Sequence, residues 1–395
     1  MKRALFFVFI LMSLIALTLS SSGLNWGRYL SYLKNSGDPH LVKSIDWYQP
    51  KAMISKANPQ PIKITESKSI DSEKLEKITE YALSDGGHAV LIAQNGKLIL
   101  ERYSGNNNRN TLINPQSMSK SLLSLAVGVA MKQGKIKSVN DPIRNYLPNL
   151  KNGEKGTITI RNLLQMSGGL EQISKDYRPW NPWSRSVQQN FGRRFNYWVG
   201  QLELSDVPGR RFEYNNNESN LLGMVLESAT QMPYQAFLKE EVWPKLQLGS
   251  ASAYLDKPDG DAMKSCCIFT RPIDWLTLGQ LVLDKGMFNG NQIIDEAYIN
   301  SATTPSDLYR GYGYQIWLEP VQLGNGYIGA KKPDSIYTWW ASEPYKDAVY
   351  SFAGYGFHQT WIIPSRDIVV VRINGNEWPK KPWDQSYIPN LLINK

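Results

Sequence analysis

A serine and a lysine stand three positions apart at the start of the most apolar stretch of the chain, in Ser117-Met-Ser-Lys120. The residues from there to Gln133 are apolar on nearly every side, which predicts a helix in the middle of a domain. Residues three apart share a helix face, so Lys120 can reach the Ser117 hydroxyl. The helix start adds free N–H groups and a positive dipole end. The pattern suits nucleophilic catalysis, because burial favours a neutral lysine that can take the serine proton.

The same two residues also have a purely structural interpretation. Serine is among the best helix-capping residues, so Ser117 can be an ordinary N-cap and Lys120 a solvated charge. A second Ser-x-x-Lys runs from Ser31 to Lys34 in a polar context, which shows how weak the pattern is by itself. Other residues must decide between the two interpretations.

Tyr214-Asn-Asn216 lies directly before a second predicted helix, which begins near Asn217. A tyrosine hydroxyl beside a lysine amine can be partly ionised and relay a proton to a leaving group. An asparagine amide can orient both Lys120 and a substrate carbonyl. In the structural alternative, Asn216 caps the helix and Tyr214 packs in the core.

Other catalytic mechanisms fit the sequence poorly. The chain has three histidines and no Gly-x-Ser-x-Gly turn, so a Ser-His-Asp triad has no support. Metal-ligand spacings are absent, and a polar loop explains the acidic run Asp256 to Asp261, so we expect no metal and no cofactor. The net charge is +9, but the basic residues are spread along the chain, which argues against nucleic acid as a partner.

The N-terminus predicts export. Lys2 and Arg3 precede an apolar run at 4–19, so residues 1–28 are expected to be a signal peptide or a signal anchor. The protein would then be periplasmic, or anchored in the inner membrane and facing away from the cytoplasm. Residues 29–72 are expected to be a tether or wrapping segment. Cys266 and Cys267 are adjacent, and we expect two small buried thiols because neighbouring cysteines rarely bridge.

The remaining residues, 73–395, predict one catalytic domain of the α+β class. Asn95-Gly96 separates two apolar runs within 88–103 and predicts a β-hairpin. Strand patterns return at 313–318, 348–352, 358–363 and 368–372. Strands at both ends with helices between them predict a mixed, mainly antiparallel sheet flanked by helices, with a mostly helical second lobe over roughly 135–300.

Several motifs, in order, resemble the serine β-lactamase and penicillin-binding protein superfamily. The resemblance is greater to its class C-like branch of esterases and 6-aminohexanoate-dimer hydrolases, and it covers 87–372. Its motifs are Ser117-x-x-Lys120, Asp141-Pro142 with Tyr146-Leu-Pro148, Ile158-Thr-Ile-Arg-Asn-Leu-Leu-Gln-Met-Ser-Gly-Gly-Leu170, Pro208-Gly-Arg-Arg-Phe-Glu-Tyr214-Asn-Asn-Asn with Asn220-Leu-Leu-Gly223, Tyr312-Gly-Tyr314 and Gly354-Tyr-Gly-Phe-His-Gln359.

The resemblance implies an acyl-enzyme mechanism in which Ser117 attacks and Lys120 and Tyr214 shuttle the proton. The N–H groups of Ser117 and Tyr355 would form the oxyanion hole, with Gly354 at the end of the neighbouring strand. For substrate binding, the resemblance adds Tyr177 and His358 as candidates beside Asn216.

One departure from the family pattern bears on the substrate. Family members that bind β-lactam or peptide carboxylates use a Lys-Thr-Gly strand motif, and this chain has Phe352-Ala353-Gly354 in its place. The resemblance therefore implies hydrolysis of a small amide or ester. The alternatives are a cell-wall DD-peptidase or β-lactamase, and a penicillin-binding-like module without catalysis. Oligomeric state is left open.

Overall fold

The computed structural model describes residues 23–35, 44–59, 64–66, 69–173, 178–323, 327–329, 332, 334–336, 338–375 and 379–394. The apolar run at 4–19 and Tyr177 lie outside these residues, so the expectations for them stay predictions. In the described ranges, every helix is too short or too polar to cross a membrane.

The strands of the described chain build a large sheet and several small ones. They are β1 (Lys51–Ser55), β2 (Gly87–Gln94), β3 (Lys97–Tyr103), β4 (Ala251–Tyr254), β5 (Ile268–Phe269), β6 (Met287–Phe288), β7 (Asn291–Gln292), β8 (Tyr327–Ile328), β9 (Trp340–Ala341), β10 (Tyr350–Gly354), β11 (His358–Ile363) and β12 (Ile368–Asn374).

The large sheet is antiparallel, with the strand order β10-β11-β12-β2-β3. The hairpin β2–β3 turns at Asn95 and Gly96, whose φ angles of 50° and 68° fit the tight turn that the sequence predicts. Strand β12 pairs with β2, so the two ends of the domain close one sheet, as expected. The predicted strand at 313–318 is wrong, because Gln315 turns back at φ 52° to bond Leu164.

The helices are α1 (Trp26–Lys34), α2 (Ser72–Leu83), α3 (Met118–Lys132), α4 (Ile160–Leu164), α5 (Arg185–Phe191), α6 (Phe195–Gly200), α7 (Asn216–Thr230), α8 (Tyr234–Phe237), α9 (Pro272–Leu283), α10 (Glu296–Ala302) and α11 (Tyr387–Ile393). Helix α8 continues into a π-helical turn, Leu238–Val242. Short 3₁₀ turns are Ser84–Gly86, Ile143–Asn145, Pro148–Leu150, Glu154–Thr157 and Pro364–Arg366.

Helices cover both faces of the large sheet. Helix α9 lies so close to one face that a Cβ added at Gly279 would come within 2.6 Å of Val369. Helix α3 packs against helix α7 and is buried along almost its whole length. Helices α2 and α11 lie against the opposite face. This is the expected α+β architecture, with the helices α4 to α8 forming the second lobe.

Part of the predicted tether packs firmly on this lobe. Strand β1 joins β4 and β5 in a small antiparallel sheet. Arg28 of α1 is buried, and its guanidinium donates hydrogen bonds to the carbonyls of Gln49, Leu255 and Asp256 at 2.6–3.2 Å. These contacts place three backbone oxygens around a buried cation. We call 23–35 and 44–55 the N-terminal segment.

Candidate active site

The Ser117 hydroxyl lies at the start of helix α3, within reach of two other functional side chains. The Lys120 Nζ donates to Ser117 Oγ at 2.8 Å, and the Tyr214 phenol makes a side-chain hydrogen bond with Ser117. Among the described residues, the Ser117 side chain makes no capping hydrogen bond to its own helix. The ordinary N-cap interpretation therefore does not describe this serine.

Lys120 is buried to 1% exposure at the bottom of this arrangement. Its second hydrogen bond goes to the Ser265 carbonyl at 2.9 Å. Among the described residues it forms no ion pair, so burial lowers its pKa to about 7. The amine is consequently close to half neutral at neutral pH, as a general base requires.

Tyr214 lies just before helix α7, where its ring stacks on Trp317 at 5.7 Å between centroids. The Lys120 Nζ is 5.0 Å from the centre of the Tyr214 ring. Burial raises the pKa of Tyr214 to about 12, and the bond to Ser117 opposes this only in part. This raised pKa favours a neutral phenol at neutral pH over the partly ionised group expected from the sequence.

Sequence reasoning missed the residues that hold the Ser265 carbonyl beside Lys120. The Asn220 Oδ1 accepts hydrogen bonds from the backbone N–H groups of Lys264 and Ser265, at 3.2 and 3.0 Å. Asn220 is one turn beyond Asn216 on helix α7. Its place in the quoted motif Asn220-Leu-Leu-Gly223 was the available signal, but its partner 45 positions away was not visible.

Glu218 is a second residue that sequence reasoning missed. It lies in the first turn of α7, is buried, and accepts hydrogen bonds from the backbone N–H groups of Gly168, Gly169 and Leu170, with the Gly168 bond at 2.9 Å. Burial raises its pKa to about 8. The carboxyl group thereby fixes the Ser-Gly-Gly turn to the helix that follows Tyr214.

The two asparagines directly after Tyr214 have different roles. Asn215 caps helix α7 by accepting from the Asn217 N–H at 3.0 Å, and it also donates to the Leu170 carbonyl at 2.9 Å. Asn216, which the structural alternative made the cap, is exposed and lines the cleft above Ser117. Its side chain is therefore placed for contact with a ligand.

Gly354 ends strand β10 beside the turn that precedes Ser117. A Cβ at this position would come within 2.1 Å of the Pro115 carbonyl oxygen, so only glycine allows this close approach. Tyr355 follows it, is 47% exposed, and lines the same cleft as Ser117. The structure therefore places Ser117, Gly354 and Tyr355 on one cleft, and the oxyanion hole stays a prediction.

Of the last two candidates, His358 is not placed at the site. His358 lies on strand β11 and is buried. Its Nδ1 accepts a hydrogen bond from the Asn374 N–H at 3.2 Å. It is not among the described residues that line the cleft. Tyr177 is outside the described residues.

The expectation of two free thiols is wrong. Cys266 and Cys267 form a disulfide between neighbouring residues, with their Cα atoms 3.7 Å apart. Cys267 takes a φ angle of 73°, which turns the chain so that both sulfur atoms lie on one side. Cys266 lines the cleft directly after Ser265, so the bridge is part of the site wall.

The cleft over Ser117 has a volume of about 550 Å³, which is in the range of small-molecule sites. Its described lining is aromatic and amide-rich. In the described residues, no cluster of three side chains suits a metal ion.

The comparisons with known proteins concern the family and the fold. The family model described as Beta-lactamase matches residues 80–382. A 6-aminohexanoate-dimer hydrolase from Paenarthrobacter ureafaciens is 22% identical, over 84% of this chain and 83% of its own. Protein flp from Staphylococcus aureus is 27% identical over 42% of this chain, and the match spans 35% of the length of that relative.

Among solved structures, a Bacillus anthracis protein provisionally assigned as a 6-aminohexanoate-dimer hydrolase has a TM-score of 0.65. It is 16% identical, and the match covers 87% of this chain and 89% of that one. At this identity the likeness concerns the fold. Within this fold, Ser117, Lys120 and Tyr214 come together through side-chain hydrogen bonds to Ser117. The chain belongs to the β-lactamase family.

Proposed function

We propose that this protein hydrolyses small amides or esters through an acyl-enzyme on Ser117. The observation that carries the proposal is the contact of Ser117 with Lys120, a buried amine whose pKa burial lowers to about 7. The 6-aminohexanoate-dimer hydrolases among the similar proteins support the amide part of this proposal.

In the first half-reaction, neutral Lys120 accepts the Ser117 proton as Oγ attacks the carbonyl carbon. The N–H groups of Ser117 and Tyr355 would stabilise the oxyanion. Tyr214 donates its phenolic proton to the leaving group and regains a proton from the Lys120 ammonium as the carbon–heteroatom bond breaks. A water then attacks the acyl-enzyme, with the proton path reversed, and releases the acid and free Ser117.

Ser117→Ala tests the proposal, with p-nitrophenyl acetate as the ester and intact-mass spectrometry after a fluorophosphonate probe. Ser31→Ala, in the second Ser-x-x-Lys, is the matched control. We expect Ser117→Ala to lose both hydrolysis and the adduct, while Ser31→Ala keeps both. Equal hydrolysis by wild type and Ser117→Ala would refute the assignment.

The DD-peptidase or β-lactamase alternative is separated by labelling with fluorescent penicillin. Phe352-Ala353-Gly354 offers no lysine for a β-lactam carboxylate, so labelling should be poor. Absence of any fluorophosphonate adduct on the wild type would instead favour the non-catalytic module.

We also propose export, with the protein periplasmic or held in the inner membrane and facing outward. The support is the basic start at Lys2 and Arg3, followed by the apolar run at 4–19. Mass spectrometry of the protein from fractionated cells would show whether the first residues are removed. Recovery of the uncut chain in the cytosol would refute export.

A further inference from the structure

The N-terminal segment forms one side of the cleft that contains Ser117. Tyr32 from helix α1 and Trp47 and Tyr48 from the stretch before β1 line the cleft. They are 69 to 85 positions from Ser117 in sequence, taking the difference of the residue numbers. The segment is fixed to the helical lobe by Arg28 and by the β1–β4 pairing described above, so its rings have defined positions.

These rings continue into the helical lobe as one aromatic wall. Tyr32 and Trp47 contact Phe191 at 4.7 and 6.0 Å between centroids, and Tyr48 contacts Tyr254 at 5.0 Å. All five rings line the cleft. Contacts of this kind hold large, rigid apolar surfaces in place at the edge of the site.

The aromatic wall also contacts the turn that directly precedes Ser117. The Tyr48 phenol makes side-chain hydrogen bonds with Gln116 and Asn114. Gln116 immediately precedes Ser117, is buried, and takes a φ angle of 52°. A group bound against the wall is therefore adjacent to the reacting hydroxyl.

The charge of the cleft lining further restricts the class of ligand that can bind. The described lining residues include no Asp, Glu, Lys, Arg or His, although the whole chain carries a net charge of +9. Bringing a carboxylate or ammonium against aromatic rings without a counter-charge costs desolvation free energy. The lining instead offers rings and neutral amides, such as Gln172 and Gln189, which suit apolar groups and neutral polar groups.

We propose that the N-terminal segment builds an aromatic subsite beside Ser117, which binds a ring-containing apolar group of an uncharged ester or amide. This inference rests on the proposed function. Trp47 and Tyr32 determine the specificity of the subsite, because both are half-buried and have ring surface facing the cleft. The natural substrate is accordingly a neutral, lipophilic compound on at least one side of the bond that is cleaved.

The test uses the full chain and pH-stat titration of four ethyl or acetyl esters. Ethyl acetate is the small reference. Ethyl 3-phenylpropanoate and 3-phenylpropyl acetate place a ring on either side of the bond, and ethyl 3-(4-carboxyphenyl)propanoate adds one carboxylate. Selectivity is kcat/KM for the better phenyl ester divided by kcat/KM for ethyl acetate. This ratio does not depend on the fraction of folded enzyme.

We expect a wild-type selectivity of about tenfold or more, and a drop of at least about fivefold in Trp47→Ala and in Tyr32→Ala. Trp183→Ala is the control, since Trp183 is a 54% exposed tryptophan outside the cleft lining, and it should keep the wild-type ratio. The carboxylate ester should react at least about tenfold more slowly than its neutral counterpart.

The subsite proposal is overturned if neither variant changes the ratio, or if the carboxylate ester reacts as fast as the neutral one. Both results would leave Ser117-dependent hydrolysis of ethyl acetate intact. Failure of the proposed function gives a different result, namely no ester hydrolysis that Ser117→Ala abolishes.

Discussion

Lys120 and Lys264 are both buried to 1% exposure, but their surroundings differ. The Lys264 Nζ forms an ion pair with Glu227 at 3.0 Å and donates to the Asn196 Oδ1 at 2.6 Å. Within the described residues, Lys120 has two neutral oxygens, on Ser117 and Ser265. The Glu227 carboxylate stabilises an ammonium at Lys264, whereas the neutral oxygens around buried Lys120 disfavour one there.

The difference teaches that burial alone does not make a lysine a base. Among the described residues, Lys120 has no carboxylate partner that would compensate a positive charge, and this favours the neutral amine. Lys264 is a structural residue, and its methylenes pack where a Cβ on Gly223 would come within 2.2 Å of them. Asn220 accepts hydrogen bonds from the backbone of both Lys264 and Ser265, and so joins the two environments.

The largest expected effect is that of Lys120→Met. We expect kcat/KM for p-nitrophenyl acetate to fall about 10³-fold or more, because the proton acceptor is gone. The fold should persist, since methionine fills most of the space of the lysine. A variant that keeps more than a tenth of wild-type activity would show that Lys120 is not the base.

Lys264→Met should act on stability instead. Glu227 loses its cation, so the free energy of unfolding should fall by about 3 kcal/mol in urea titrations. Lys285→Met is the matched control, since its ion pair with Glu296 is exposed on both sides and its loss should change the free energy of unfolding far less. If Lys264→Met instead abolished activity in the folded protein, the contrast between the two lysines would fail.

The pH dependence should report Lys120 alone. Its pKa of about 7 means that kcat/KM should fall about tenfold per pH unit below pH 7 and level off above it. Burial raises the pKa of Tyr214 to about 12, so the plateau should extend past pH 9. Lys264→Met should keep this midpoint, and a midpoint displaced by a full unit in that variant would contradict the separation.

The same lowered pKa affects stability. Between about pH 7 and 10.5 the unfolded chain binds the proton that folded Lys120 has lost, so wild-type stability should rise with pH relative to that of Lys120→Met. The Lys120→Met variant should lack this rise of stability with pH. Urea titrations at pH 7 and 9 measure it, and equal slopes in the two proteins would argue against a depressed pKa.

The smallest effect concerns Asn220. Asn220→Ala removes the acceptor that fixes the Ser265 carbonyl, and we expect about a tenfold loss in kcat through poorer positioning of Lys120. Asn220→Asp keeps an acceptor and adds a negative charge, so it should retain more activity and move the pH midpoint upward. A purely structural role would lower stability in both variants and leave the midpoint unchanged.

The amino-acid sequence by itself determined the elements whose signals are local. The buried helix after Ser117, the hairpin at Asn95-Gly96 and the strands β11 and β12 follow from periodicity and turn chemistry. The position of Lys120 relative to Ser117 is also local, since three residues of helix separate them. Ordered motifs then indicated the family, together with the missing lysine at Phe352-Ala353-Gly354.

Only the tertiary structure decided which distant residues meet. The Tyr214 phenol at Ser117, the Ser265 carbonyl at Lys120 and the aromatic wall from the N-terminal segment each join positions far apart in the chain. The Cys266–Cys267 bridge depends on a backbone turn with positive φ, which the residue types do not announce. Such contacts follow from how the sheet and helices pack, because local preferences do not specify long-range distances.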